Sequence, residues 1–106
     1  MNKFMRLLVF FDLPVKTKPE RHRATAFRNF LLKDGYHMLQ FSFYTRVCNG
    51  MDAVAKHKAR LYAQLPNNGS VRLLTITEKQ YESIEILVGK LMPDDTDFVC
   101  KQLSIF

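Results

Sequence analysis

The sequence predicts a single α+β domain, on three observations. A chain of 106 residues has room for one hydrophobic core. Apolar runs suited to strands alternate with two stretches in which apolar residues recur at helical spacing. Hydrophobic residues make up 47% of the chain, which excludes the composition of a disordered protein. No internal repeat or low-complexity segment divides the chain. We therefore assign residues 1–92 to one domain and residues 93–106 to a carboxy-terminal tail.

The first element is a strand that ends on a carboxylate. Residues 4–12 are rich in Phe, Leu and Val with little alternation, which is typical of a central strand covered on both faces. Leu13 and Pro14 end the strand, because proline has no donor for a ladder. A charge at the edge of a buried sheet is costly unless something pairs with it. Asp12 is therefore the first candidate functional residue.

A helix and an extended segment follow. Pro19 and Glu20 open the helix, and Asp34-Gly35 ends it, since glycine suits the left-handed cap. The apolar stripe of this helix consists of Ala24, Phe27 and Leu31. Residues 36–47 alternate as a strand does, but twelve residues are long for one strand. A break near residues 40–42 predicts two strands, although those residues are poor turn formers.

The second half of the chain predicts a helix and two strands. Asn49-Gly50 marks a turn before a helix over residues 51–65. Its predicted stripe consists of Met51, Val54, Ala55, Leu61, Tyr62 and Leu65, with Lys58 interrupting it. Strands are predicted over residues 70–77 and 84–88, with one helical turn between them. An acidic linker at residues 93–95 then leads to a strand-like tail at residues 98–106.

This order of elements predicts a ferredoxin-like βαββαβ sandwich with extra C-terminal strand residues. Two right-handed crossovers return to one sheet, and both helices cover one of its faces. The other face still carries apolar residues, so we expect a two-fold homodimer that buries it. Residues 84–88 and 98–105 are expected to pair with the sheet edge of the partner.

Charge and cysteine content narrow the classes of function that the chain could have. The formal charge is +6 and the pI is about 9.6, as expected of a nucleic-acid binder. A basic domain that is merely soluble is the alternative. Cys48 and Cys100 are far apart and form no CxxC pair, which predicts reduced thiols in a cytoplasmic protein without a zinc site. No apolar stretch approaches the ~20 residues of a membrane span.

The chain resembles the CRISPR-associated endoribonuclease family, small adaptation proteins that partner the CRISPR integrase. The matching pieces include Phe10-Phe11-Asp12-Leu13-Pro14 and Thr77-Glu78-Lys79-Gln80-Tyr81, and their Asp-Leu-Pro and Thr-Glu-Lys-Gln versions look most like members from type II systems. Each piece is weak alone, and the order and spacing of all the pieces make the resemblance specific. The other matching pieces are residues 20–21, 27–31, 35–36, 40–44, 65–66, 69–76 and 87–89. In the Ser-Val-Phe/Tyr pattern of the family, Phe43 replaces valine. The resemblance covers residues 4 to about 92.

The resemblance implies a ferredoxin-like homodimer flanked by the integrase, holding a short double-stranded DNA for insertion into the repeat array. It also implies that Asp12 corresponds to the strand-end aspartate of the family. In nuclease-active relatives that residue and its twin across the dimer axis bind a divalent ion. Mg²⁺ suits such a site, because it prefers one or two carboxylates plus phosphate oxygens and water. From the residues alone, Asp12 could instead cap the turn near Val15.

A basic segment follows Asp12. Its members are Lys16, Lys18, Arg21, Arg23 and Arg28, offset only by Glu20. We expect them to contact phosphates, although a solvated helix face is the usual role of such a run. Arg46 is a further candidate, and Lys56, His57, Lys58 and Arg60 form a weaker one.

Three functions remain open from the sequence. The leading hypothesis is a dimeric double-stranded DNA-binding scaffold whose partner integrase performs the chemistry. The alternative is a Mg²⁺-dependent endonuclease, acting on RNA or double-stranded DNA, that uses paired Asp12 residues. A ferredoxin-like regulatory or RNA-binding dimer is disfavoured, because the sequence has no Gly-rich ligand loop and no RNP-type aromatic pattern.

Overall fold

A computed structural model describes residues 3–89 as an α+β domain of the ferredoxin-like kind, as predicted. Its four-stranded sheet is antiparallel with the order β2-β3-β1-β4. The elements are β1 (Phe4–Asp12), α1 (Lys18–Lys33), β2 (His37–Gln40), β3 (Phe43–Asn49), α2 (Met51–Tyr62), β4 (Ser70–Thr77) and α3 (Glu78–Glu82). None of the helices within this range is long and apolar enough to cross a membrane.

Helix α1 begins with a capping box that the sequence analysis missed. The Thr17 hydroxyl accepts from the Glu20 amide at 3.2 Å, and the Thr17 amide donates to the Glu20 carboxylate at 2.9 Å. The second hydrogen bond holds the pKa of Glu20 below its usual value. Helix α1 therefore begins at Lys18, and a loop of five residues separates it from Asp12. Asp34 caps the other end, and Gly35 has the predicted left-handed φ of 94°.

The predicted break in the long extended segment is confirmed. Strand β2 ends at Gln40, and β3 begins at Phe43. Ser42 makes the turn with a positive φ of 64°, a conformation that costs about 1–2 kcal/mol in residues other than glycine. The Ser42 carbonyl accepts from the Phe11 amide at 3.0 Å. This bond ties the hairpin tip to the end of β1.

The buried face of α2 differs from the predicted stripe. Val54, His57 and Leu61 are buried, whereas Met51 and Tyr62 are each 61% exposed. The predicted stripe of α2 omits His57, because the sequence alone groups this residue with the surface cations. Its ring is buried against Asp34, an acid that lies 23 positions earlier in the chain.

The sheet has a helix-covered face and an open face. Leu7, Val9 and Phe11 of β1 pack in the core with residues of α1 and α2, so Arg6, Leu8, Phe10 and Asp12 belong to the opposite face. Helix α3 covers one end of that open face. Arg6 Nε lies 2.8 Å from a Glu78 carboxylate oxygen, and its guanidinium stacks 4.0 Å from the centre of the buried Tyr81 ring.

Residues 84–88 form no strand in the single chain, which corrects that part of the prediction. Strand β4 is followed directly by α3, whose Glu78 and Tyr81 pack against Arg6 of β1. Pairing of residues 84–88 with a second copy stays a prediction. The expected tail at residues 93–106, including the segment 98–105, lies outside the described residues.

Candidate nucleic-acid interface

Asp12 is the last residue of β1 and lies on the open sheet face, opposite Ser70 of β4. Its side chain is exposed and accepts no hydrogen bond within residues 3–89. The turn-cap interpretation of Asp12 is therefore wrong. The turn before β4 packs closely on this strand end, because a Cβ at Gly69 would lie 2.8 Å from the Asp12 carbonyl oxygen.

A surface hollow of about 380 Å³ lies beside Asp12. It is lined by the end of β1, the β2–β3 hairpin tip and the beginning of β4. Arg72 shares this hollow with Asp12, because it lies opposite Phe10 in the β1–β4 register. Arg72 is not among the site residues predicted from the sequence. It is a lone cation in the predicted strand over residues 70–77, and only the β1–β4 register brings it beside Asp12.

The residues near Asp12 fit part of a metal site. Within residues 3–89 there is no cluster of three or more His, Cys, Asp or Glu side chains that could hold a metal ion. One aspartate supplies a single hard ligand, whereas Mg²⁺ prefers one or two carboxylates together with phosphate oxygens and water. Asp12 can serve Mg²⁺ only if a second chain or a substrate supplies the other oxygens. Mg²⁺ at Asp12 therefore stays a prediction.

The loop between β1 and α1 is held in place by Arg21. Its guanidinium donates to the carbonyl oxygens of Val15, at 3.2 Å, and Lys16, at 3.0 Å. The side chains of Lys16 and Lys18 remain exposed. Arg21 thus fixes the backbone that carries two free ammonium groups near the Asp12 end of the sheet.

The three arginines of α1 do not share one flank. A helix turns about 100° per residue, so Arg21 and Arg28 lie about 20° apart around the axis, whereas Arg23 lies about 160° from Arg21. Arg28 donates to the Thr25 hydroxyl at 3.3 Å along the first flank. Arg23 is half-buried, and its Nε has no hydrogen-bond partner. Lys16, Lys18 and Arg21 are exposed, and Arg28 is half-buried on the same flank of the helix as Arg21. We call these four residues the α1 basic surface.

The structure does not place Arg46 with the other basic candidates. Its guanidinium crosses over Gly35 and donates to the Asp34 carbonyl oxygen at 2.5 Å. A Cβ at Gly35 would displace that guanidinium, and the positive φ of 94° favours glycine there. Arg46 closes the end of α1 and is engaged inside the fold.

The weaker group of basic candidates, on α2, is also partly engaged in contacts inside the fold. Asp34 is buried, and its two carboxylate oxygens contact His57 Nδ1 at 3.0 Å and Arg60 Nη2 at 2.8 Å. Arg60 pairs with this buried acid and His57 hydrogen-bonds to it, which leaves Lys56 exposed and Lys58 half-buried on this helix. Burial also raises the pKa of the Tyr36 hydroxyl, and the Asp34 carboxylate raises it further.

Comparisons with known proteins give a consistent family. The family model described as "CRISPR associated protein Cas2" matches residues 5–84. A protein of Acidovorax ebreus named "CRISPR-associated endoribonuclease Cas2" is 53% identical over 102 residues, covering 96% of this chain and all of that protein. A protein of the same name from Flavobacterium psychrophilum is 42% identical over 108 residues, covering this whole chain and 93% of that one.

A third relative is longer. The Campylobacter jejuni protein of that name is 46% identical over 91 residues, which are 86% of this chain and 64% of its own length. The residues that the family model matches include Asp12 and all of the sheet except Phe4. The chain therefore belongs to the Cas2 family of small CRISPR adaptation proteins.

Proposed function

We propose that the protein is a dimeric scaffold that binds the backbone of double-stranded DNA during CRISPR adaptation, while a partner integrase performs the chemistry. The observation that carries the proposal is the α1 basic surface. Four cationic side chains lie on one loop–helix unit beside the Asp12 end of the sheet, and Arg21 fixes that loop. Lys and Arg contacts to phosphates position DNA without reading its sequence, so binding is expected to be sequence-independent and sensitive to salt.

The open sheet face supports a dimer. Phe10, Val47 and Leu74 belong to this face and are 38%, 41% and 49% exposed. An exposed apolar face on so small a domain favours association, and a two-fold axis lets one face cover its own copy. Such a dimer would also supply a second Asp12.

A salt titration of duplex affinity tests the scaffold. The test variant replaces Lys16, Lys18, Arg21 and Arg28 by Ala, and a control replaces Lys3, Lys33, Lys56 and Lys79, four exposed cations elsewhere. Both variants lose the same charge. We expect the test variant to flatten the slope of log affinity against log salt by about 0.9 per lost phosphate contact, on every duplex sequence. Equal losses in the two variants would show that net charge alone binds DNA.

The complex with the integrase is tested by stoichiometry. Purified protein, cognate integrase and a short duplex are mixed, and the mass of the assembly is measured. We expect two copies of this chain in each complex. An assembly that contains DNA and integrase but none of this chain contradicts the scaffold.

A second candidate is a Mg²⁺-dependent endonuclease that uses Asp12 from two chains. The printed name of the relatives, an endoribonuclease, and the unpaired Asp12 carboxylate favour it. Asp12→Asn should abolish Mg²⁺-dependent cleavage of RNA and double-stranded DNA. The same variant should keep or improve metal-free duplex binding, because it removes a negative charge near the phosphate path. Cleavage that persists in Asp12→Asn would exclude this carboxylate from the reaction.

A further inference from the structure

We propose that Glu20 is a positioning residue for duplex binding: its carboxylate holds the loop that presents Lys16 and Lys18, so this acid favours DNA binding despite its negative charge. The inference rests on the proposed function, because it concerns the α1 basic surface. In the sequence, Glu20 is the one acid that offsets the basic segment. The hydrogen bonds of the folded chain favour the opposite role.

The Glu20 side chain turns back onto the residue that precedes the helix. Its Oε1 accepts from the Thr17 amide at 2.9 Å, and the Glu20 amide donates to the Thr17 hydroxyl at 3.2 Å. The carboxylate thus satisfies an amide outside the helical hydrogen-bond ladder, and it lies near the positive end of the helix dipole. The Thr17 amide, and to a lesser degree the Arg23 guanidinium, hold the pKa of Glu20 below its usual value, so Glu20 is ionised at neutral pH.

Arg21 holds the residues just before this cap. Its guanidinium donates to the carbonyl oxygens of residues 15 and 16 at 3.2 Å and 3.0 Å, and its amide donates to the Thr17 carbonyl at 3.0 Å. Glu20 and Arg21 therefore fix the backbone of residues 15–17 together. The two lysine side chains on either side of Thr17 stay exposed and point away from no ion partner that would restrain them otherwise.

Glu20 has two opposing effects on a duplex. Its charge repels phosphates, whereas its hydrogen bond orders the loop. A lysine adds to affinity only in the fraction of molecules whose loop has the binding conformation, because the apparent Kd is the intrinsic Kd divided by that fraction. Loss of a cap shifts the equilibrium at a helix end by about twofold to thirtyfold. The two effects can be separated, since glutamine also completes a capping box.

Duplex affinity of Glu20→Gln and Glu20→Ala tests the proposal. Both variants lose one negative charge, but only Glu20→Gln keeps an acceptor for the Thr17 amide. We expect Glu20→Gln to bind at least as tightly as the natural protein, and Glu20→Ala to bind about twofold to tenfold more weakly than Glu20→Gln with a flatter salt slope. Gln80→Ala is the matched control. Thr77 and Gln80 form a capping box of the same kind on α3, with hydrogen bonds of 2.9 Å and 3.0 Å, at the end of β4 away from Asp12. This control should leave duplex affinity unchanged.

The same pair of variants in a Lys16→Ala, Lys18→Ala background shows whether Glu20 acts through the lysines. Here Glu20→Ala and Glu20→Gln should bind duplex equally, because no loop cation remains to be positioned. A difference that persists in this background overturns the proposal, and so does equal affinity of the two variants when both lysines are present.

Trypsin cleavage after Lys16 measures the order of the loop without DNA. Glu20→Ala should be cleaved there faster than Glu20→Gln, since cleavage of a native chain follows local opening. Equal cleavage rates would show that Glu20 does not hold the loop, which overturns the proposal.

The quadruple variant of the α1 basic surface separates this inference from the scaffold function. If that variant and its charge-matched control lose the same affinity, the scaffold function fails. If the quadruple variant alone loses affinity while Glu20→Ala and Glu20→Gln bind equally, only the positioning role of Glu20 fails.

Discussion

His57 Nδ1 lies 3.0 Å from an Asp34 carboxylate oxygen, and this buried pair joins the end of α1 to the middle of α2. The Asp34 side chain is 1% exposed, so its charge depends on protein partners. Arg60 contacts the second carboxylate oxygen, and Arg46 donates to the Asp34 carbonyl. Asp34 thus links the end of α1 to α2 through its side chain and to β3 through its carbonyl oxygen.

Asp34→Ala should destabilise the fold strongly. The substitution leaves His57 buried without an acceptor and frees Arg60 and the end of α1. Leaving a buried hydrogen-bonding group without its partner costs about 1–3 kcal/mol. Urea unfolding should show a loss of that order, and Asp52→Ala is the control because Asp52 is an exposed acid in the first turn of α2. Equal, small losses in both variants would show that the buried pair contributes little.

The features of the fold that depend on local sequence pattern are predicted correctly from the sequence. The strand over residues 4–12, the glycine at the end of α1 and the break near residue 41 are all visible in composition and spacing, and all are confirmed. The errors concern contacts between distant residues. His57 looks like a surface cation until Asp34 is placed beside it, and Arg72 becomes a site residue only through the β1–β4 register.

Arg23→Ala should affect DNA binding less than Arg28→Ala does. Both residues are half-buried, but Arg28 lies on the α1 basic surface, whereas Arg23 lies on the other flank of the helix with its Nε buried. Each substitution removes one positive charge, so the pair is matched. Arg28→Ala should flatten the salt slope of duplex affinity by about 0.9, and Arg23→Ala should leave it unchanged. The reverse order would place the duplex on the opposite flank of α1.

Cys48 should resist alkylation in the folded protein. The residue is 1% exposed, and burial raises the pKa of its thiol. A higher pKa means less thiolate at a given pH, and the thiolate is the reactive form. In a Cys100→Ser background, iodoacetamide should label the native protein at least about tenfold more slowly than the urea-unfolded chain.

A neighbouring position gives the control for that measurement. Asn49 is exposed and follows Cys48 on the same strand, so Asn49→Cys in a Cys48→Ser, Cys100→Ser background presents a thiol to solvent. This variant should react at nearly the same rate folded and unfolded. Fast native labelling of Cys48 would mean that β3 opens locally.

Gly69→Ala should destabilise the Asp12 end of the sheet more than Gly50→Ala destabilises the start of α2. Both glycines have positive φ values, 89° and 94°, so a side chain meets backbone strain at either position. A Cβ at Gly50 meets nothing within 4 Å, whereas at Gly69 it lies 2.8 Å from both the Asp12 carbonyl oxygen and Leu13 Cδ2. Overpacking costs about 1–3 kcal/mol, and we expect the free energy of unfolding in urea to fall by that much more in Gly69→Ala than in Gly50→Ala.

The strand end must shift to relieve the contact, so Gly69→Ala should also reduce any Mg²⁺-dependent cleavage that requires Asp12. Equal stability of the two variants would show that the turn before β4 yields and does not position Asp12.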